Sequence, residues 1–118
     1  MTKVCILANQ DKFPQLQKAL EGIGITGITV TNVLGYGNQK GHSVFFRGTP
    51  VLSHLLPKVK AEIVVSKIPV DTLIQTIRGS LYTGNVGDGK IFIYDVEDVV
   101  KIRTGEHGYD ALQDEIPE

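Results

Sequence analysis

The sequence predicts an α+β fold whose elements run in the order βαββαβ. Two observations carry this. Four short stretches, residues 4–8, 28–34, 59–65 and 91–96, are dense in β-branched and other apolar residues and read as strands. Between the first and second strands, and again between the third and fourth, apolar residues recur at helical spacing behind a proline. This is the order of a ferredoxin-like split βαβ sandwich, with the helices on one face of its sheet. The length of 118 residues makes residues 1–118 a single domain, with 42% apolar and 21% charged residues, and such a chain can bury a core without disulfide or metal staples.

In the first strand Val4, Ile6 and Ala8 alternate with Cys5 and Leu7, so both faces are apolar. Phe13-Pro14 opens the first helix, where a missing N–H costs nothing, and Leu16, Ala19, Leu20 and Ile23 follow before Gly22 and Gly24 stop it. The second strand, residues 28–34, leads into a polar, glycine-containing connection from Gly35 to about His54. At about twenty residues, where hairpins use ~2–5, this connection is either functional or disordered. Gln39-Lys40-Gly41-His42 and the apolar Val44-Phe45-Phe46 within it argue for function, because exposed phenylalanines want a partner surface. After the third strand Pro69 opens the second helix, with Leu73, Ile74, Ile77 and Leu81 along one side. Glycine-rich residues 83–90 run straight into the fourth strand. Apolar residues on the second sheet face predict burial against another subunit, since a solvated face would be polar.

The net charge of −1 provides no global attraction to nucleic acid or membrane. No Asp or Glu occurs from Gly22 to Ala61, whereas Lys40, Arg47, Lys58 and Lys60 fall there, and Asp110, Asp114, Glu115 and Glu118 make an acidic tail over about 109–118. This distribution suits a cationic middle and an acidic end, or two solvated faces. The single thiol, Cys5, fits a reducing, cytoplasmic setting, with no leader sequence and no apolar run of membrane-span length expected.

The chemistry concentrates in Thr83-Gly-Asn-Val-Gly-Asp-Gly-Lys90. Residues 84–90 nearly read as the phosphate-binding pattern G-x-x-x-x-G-K, but Ile91 replaces the Ser/Thr that would hold Mg²⁺, and a helix precedes where one should follow. A turn of backbone N–H groups and Lys90 remains, either an anion nest or only a tight turn. Lys101 and Arg103, pointing the same way in extended chain, would add charge for a polyphosphate. Gly35-Tyr36-Gly37 would bring further N–H groups, and Gln39 would suit Mg²⁺, which takes few protein ligands. His42, His54 and His107 lack metal-ligand spacing, Asp88 suits a turn better than catalysis, and no catalytic arrangement is visible, which argues against an enzyme.

These segments resemble the PII family of nitrogen-regulatory signal-transduction proteins. The resemblance runs from Val4 to about Gly108 and is carried by Gly24-Ile-Thr-Gly-Ile-Thr-Val30, Gly35-Tyr-Gly-Asn-Gln-Lys-Gly-His42, Leu56-Pro-Lys-Val-Lys60, Glu62-Ile-Val-Val65, Thr83-Gly-Asn-Val-Gly-Asp-Gly-Lys-Ile-Phe92 and Lys101-Ile-Arg-Thr-Gly-Glu106. It implies a homotrimer of ferredoxin-like subunits in which ATP and ADP compete for clefts between subunits. By that resemblance Gly35, Gly37, Asn38, Gln39, Gly87, Asp88, Gly89, Lys90, Lys101 and Arg103 hold the nucleotide, with Thr29 and Val64 at the adenine. Gln39 would bind Mg²⁺ with 2-oxoglutarate, whose further contacts would be Lys40, Gly41 and Lys58. The connection over about 37–55 corresponds to the T-loop, which reports effector state to a target protein such as a membrane transporter. Val44, Phe45, Phe46 and Arg47 would make that contact.

The sequence departs from the family where signalling is concerned. Val51 replaces a tyrosine nucleotidylated in many members, Thr49 stands where some carry a phosphorylated serine, and Asn38 and Phe46 replace an arginine and a tyrosine. Val44, Pro50 and His54 replace commonly acidic or polar residues, Asn9-Gln10-Asp11 replaces a basic-proline segment, and Lys101 replaces an arginine, losing bidentate phosphate contact. The expected function is a non-enzymatic adenine-nucleotide sensor that controls a partner and is recruited to the membrane where that partner is a transporter. Two alternatives stay open: a slow ATPase or phosphatase, and an energy sensor without 2-oxoglutarate. A nucleic-acid module would need aromatic platforms beyond Phe92 and Tyr94.

Overall fold

The computed structural model describes residues 1–36 and 55–113, and the backbone of 44–46 and 49–51. The chain forms β1 (Thr2–Asn9), a 3₁₀ turn (Gln10–Lys12), α1 (Phe13–Gly22), β2 (Thr29–Tyr36), the short β3 (Val44–Phe46) and β4 (Thr49–Val51), β5 (Leu55–Val65), α2 (Val70–Leu81), β6 (Lys90–Asp95) and a second 3₁₀ turn (Gly108–Leu112). β2, β5, β1 and β6 lie side by side in that order in one antiparallel sheet. The expected βαββαβ order therefore holds, with a small hairpin, β3–β4, inside the long connection.

Alternation puts Val4, Ile6 and Ala8 of β1 and Val59, Ala61, Ile63 and Val65 of β5 on one face, all buried. They pack with Leu16 and Leu20 of α1 and Leu73, Ile77 and Leu81 of α2. Each such aliphatic side chain contributes about 1.5–3 kcal/mol on leaving water, and this layer of helices on sheet is the core. α1 ends in a Schellman motif: Gly24 (φ +90) donates to the Glu21 carbonyl at 3.1 Å and Ile25 to the Leu20 carbonyl at 3.1 Å. Ile25 then turns inward and is buried. Pro69 caps α2, its carbonyl accepting from the Leu73 N–H at 3.1 Å.

The third main strand is longer than the expected 59–65, since β5 starts at Leu55. The proline at 57 conceals this extension. It pairs with Leu34 on the β2 side, but β1 pairs with β5 only from Lys58 onward, so the missing N–H leaves no gap in a ladder. β2 likewise continues through Gly35 to Tyr36, opposite Leu55.

Register fixes the second face of the sheet. Val64, Lys3 and Tyr94 lie in one row; Thr29, Glu62, Cys5 and Phe92 in the next; then Thr31, Lys60, Leu7 and Lys90; then Val33, Lys58 and Asn9; and last Gly35 with Leu56. The face is more charged than its apolar pattern suggested. Glu62 takes Lys3 at 2.6 Å and Lys60 at 3.5 Å, and Lys3 also lies over the Tyr94 ring.

Candidate functional site

Between the end of α2 and the start of β6 the chain must reverse over residues 82–89, and Asp88 holds that reversal together. Its carboxylate accepts from the backbone N–H groups of Thr83 at 2.8 Å and Gly84 at 3.1 Å, and from the Thr83 hydroxyl. The Thr83 hydroxyl oxygen accepts in turn from the Asn85 N–H at 3.2 Å. The Thr83 hydroxyl first, then the backbone donors, hold the Asp88 carboxyl below the usual carboxylate range. The Asp88 side chain thus ties the loop to itself. The last glycine of the loop is forced by packing: Gly89 has φ +115, and a Cβ there would stand 2.0 Å from the Leu7 carbonyl oxygen. Lys90 follows, on the second face of the sheet opposite Leu7.

Lys58 links this loop to the other glycine-rich stretch. Its stem lies across β2, where a Cβ at Gly35 would meet Lys58 Cγ at 2.9 Å. Its ammonium donates to Asn9 Oδ1 at 2.6 Å and to the Gly87 carbonyl at 3.4 Å. Asn9 Nδ2 donates to that same carbonyl at 3.2 Å, closing a ring of three residues. Gly35, Lys58 and Gly87 are thereby brought together. Asn9, which completes the set, was legible only as a departure from a basic segment; the register that puts it opposite Lys58 is not visible in the strand pattern.

Thr29 and Val64 lie elsewhere. They line a cavity of about 1130 Å³ with Lys3, Glu62, Lys67 and Tyr109. The lysine at 67 stands 3.7 Å from the Tyr109 ring centre. Gln113 also lines this cavity, and its carbonyl accepts from Lys101 Nζ at 3.0 Å. The segment carrying Lys101 and Arg103 is not the extended chain expected. Residues 102–104 turn, the Gly105 N–H reaches the Lys101 carbonyl at 2.8 Å, and the Lys101 N–H reaches the Glu106 carbonyl at 2.9 Å. A Val100–His107 bridge closes this excursion, and the His107 ring is held by Asp98 at 2.7 Å. The turn replaces strand geometry because its backbone groups are satisfied locally.

The expected site residues therefore fall in two clusters. One is the loop of Gly87, Asp88, Gly89 and Lys90, to which Gly35 is joined only through the Lys58 side chain, since by register Gly35 itself lies three strands and four residues from Lys90; the other is Thr29, Val64 and Lys101. Lys90 lies two strands and four residues from Val64 by register, and three strands and two residues from Thr29, roughly 16 Å in either case. Gly37, Asn38, Gln39, Lys40, Gly41 and Arg47, and the side chains of Val44, Phe45 and Phe46, lie outside the described residues. At the level of backbone Val44 pairs with Val51, Phe45 with Pro50 and Phe46 with Thr49.

The family model "Nitrogen regulatory protein P-II" matches residues 1–106. A protein of that name from Pasteurella multocida is 47% identical over 112 residues, 95% of this chain and 100% of the relative. Nitrogen regulatory protein P-II 1 of Escherichia coli strain K12 is 48% identical over the same shares. Among solved structures, Arabidopsis thaliana PII bound to citrate superposes with a TM-score of 0.75 at 40% identity, over 93% of this chain and 90% of that one.

Proposed function

The chain belongs to the nitrogen regulatory protein P-II family of signal-transduction regulators, and on that premise we propose that it senses adenine nucleotides at clefts between the subunits of a homotrimer. One observation carries the proposal. Among the described residues expected to hold a nucleotide, Lys90 of the glycine loop lies roughly 16 Å from Thr29 and Val64 on one chain. A second copy set against the first would bring the glycine loop of one subunit to the Thr29 and Val64 cavity of the next. The relatives are named as regulators, which favours a protein that signals and does not turn over substrate.

The fit to a polyphosphate rests on the loop. Asp88 and Gly89 fix its backbone before a ligand arrives, and preorganisation lowers the ordering cost of binding. Lys90 supplies a point charge beside it, and Lys101 and Arg103 add charge from the neighbouring subunit. Gly37, Asn38 and Gln39 complete the phosphate side, with Gln39 the ligand for Mg²⁺, which would neutralise phosphate charge. ATP and ADP compete for one site in this reading, and coupling of ~1–3 kcal/mol between site and loop would switch a partner. The loop over 37–55 would meet that partner through Val44, Phe45, Phe46 and Arg47, a membrane transporter being one class. Lys58, with Gln39, Lys40 and Gly41, would take 2-oxoglutarate. The Arabidopsis relative was solved with citrate, a carboxylate of the same class, which supports an acid site in this family.

Calorimetric titration tests this directly. ATP and ADP each bind the folded oligomer, each displaces the other, and Lys90→Ala weakens both by ~1–3 kcal/mol, the net worth of a charged hydrogen bond. A chain that binds neither nucleotide would sink the proposal. Steady ATP turnover lost in Lys90→Ala would assign a hydrolase instead.

A further inference from the structure

α2 stops at Leu81, Tyr82 leaves it in extended conformation, and the chain rejoins the sheet only at Lys90. The glycine loop spans that gap without filling it. On the helix side of the sheet a crevice of about 330 Å³ remains, within the size range of small-molecule sites. Ile77 and Leu81 of α2 line it together with Ile6 and Ile91, which are cross-strand partners on β1 and β6. The edge strand is not fully covered by the helix layer, since Ile93, on the same face as Ile91, is 50% exposed. Exposed Tyr82 bounds the crevice on one side, and Asp88 and Gly89 of the loop bound it on another.

The charge at this crevice is one-sided. Asp88 lines it, but both carboxylate oxygens are engaged, by the Thr83 hydroxyl and by the N–H groups of Thr83 and Gly84. Arg78 also lines it, and its guanidinium has no hydrogen-bond or ion-pair partner among the described residues. A cation in the last turn of a helix suits the helix dipole, so Arg78 alone signals nothing. An unengaged guanidinium at the rim of an open apolar floor carries more. It matches a ligand with an apolar body and one carboxylate, which the planar fork takes through two parallel hydrogen bonds.

We propose that this crevice is a separate ligand site for a medium-chain aliphatic monocarboxylate, with the carboxylate on Arg78 and the chain over Ile77, Leu81 and Ile91. It opens on the helix side of the sheet, whereas Leu7 and Lys58 lie on the other face, so it does not depend on the nucleotide reading. An occupant braces the glycine loop from beneath, through Asp88 and Gly89.

The test titrates octanoate into the full-length oligomer without nucleotide, followed by methyl NMR. Octanoate gives saturable shifts at the methyls of Ile77, Leu81 and Ile91, with Kd on the order of 1 mM. Acetate, which lacks the chain, and octanol, which lacks the charge, each bind at least about tenfold more weakly. Arg78 is exposed on its helix, so Arg78→Met keeps the fold and the apolar stem. It weakens octanoate about tenfold and leaves octanol unchanged, and Arg78→Lys recovers part of the loss. The proposal is overturned if octanoate shifts none of these methyls up to about 20 mM, as when a neighbouring subunit fills the crevice. Octanoate affinity unchanged in Arg78→Met, or octanol binding as tightly as octanoate, also overturns it.

Discussion

Gly89 has the least latitude among the described glycines. Its backbone lies in the left-handed region, and the Leu7 carbonyl stands where a side chain would begin. Gly89→Ala is expected to cost at least about 2 kcal/mol, because the positive φ alone costs ~1–2 kcal/mol and β1 must also shift; denaturant unfolding measures this. Asp88 gives the loop a pH dependence. Its folded pKa is lowered by Thr83 and Gly84, so its stabilisation is present above the unfolded value and disappears as pH falls through the folded one. Asp98, held chiefly by His107, acts in the same direction. Thermal melts should show Asp88→Asn destabilised at neutral pH and the difference from wild type shrinking below about pH 4; a difference constant with pH would deny the carboxylate its role. The glycines and Lys90 were legible as a loop that approaches something closely. Asn9 was not, because its meaning lies in a partner 49 positions away in sequence.

At the scale of elements, periodicity located both helices and all four main strands; α1, α2, β1 and β5 each bury one face in the same core, whereas β2 and most of β6 stay exposed on the single chain and were found by their β-branched composition. The ends were harder. Pro57 reads as a strand breaker, and it is harmless only because β1 is too short to pair with it. The β3–β4 hairpin was hidden because each arm is only three residues long and the second contains Pro50, which argues against a strand. Helix packing can be probed in the same way. Leu16 and Ile77 are fully buried, and replacing either with alanine should cost about 2–5 kcal/mol in denaturant unfolding. A smaller loss would mean that α1 and α2 collapse onto the gap.

At the scale of the molecule, the second face of the sheet is unfinished in a single chain. Phe92 is 39% exposed and Tyr94 51%, beside a band of paired charges. If a trimer buries this face, Phe92→Asp should dissociate it, with sedimentation reporting monomers; a variant that stays trimeric would place the interface elsewhere. The division of the site into two clusters could not be read from strand and helix patterns, which say what faces the core but not which residues meet across a subunit boundary. The family resemblance supplied that expectation, and the separation of Lys90 from Thr29 and Val64 gives it a physical reason. The most direct test is therefore complementation between subunits. Lys90→Ala and the double variant Lys101→Ala/Arg103→Ala should each bind ATP more weakly than wild type when expressed alone. Co-expressed in equal amounts they form mixed trimers, and a cleft built across the boundary is intact wherever one variant's glycine loop faces the other's Lys101. Random assembly restores on the order of a quarter of the clefts to wild-type affinity. Calorimetry should recover that fraction if the cleft is shared between subunits, and no recovery from mixed trimers that assemble normally would show that it is not.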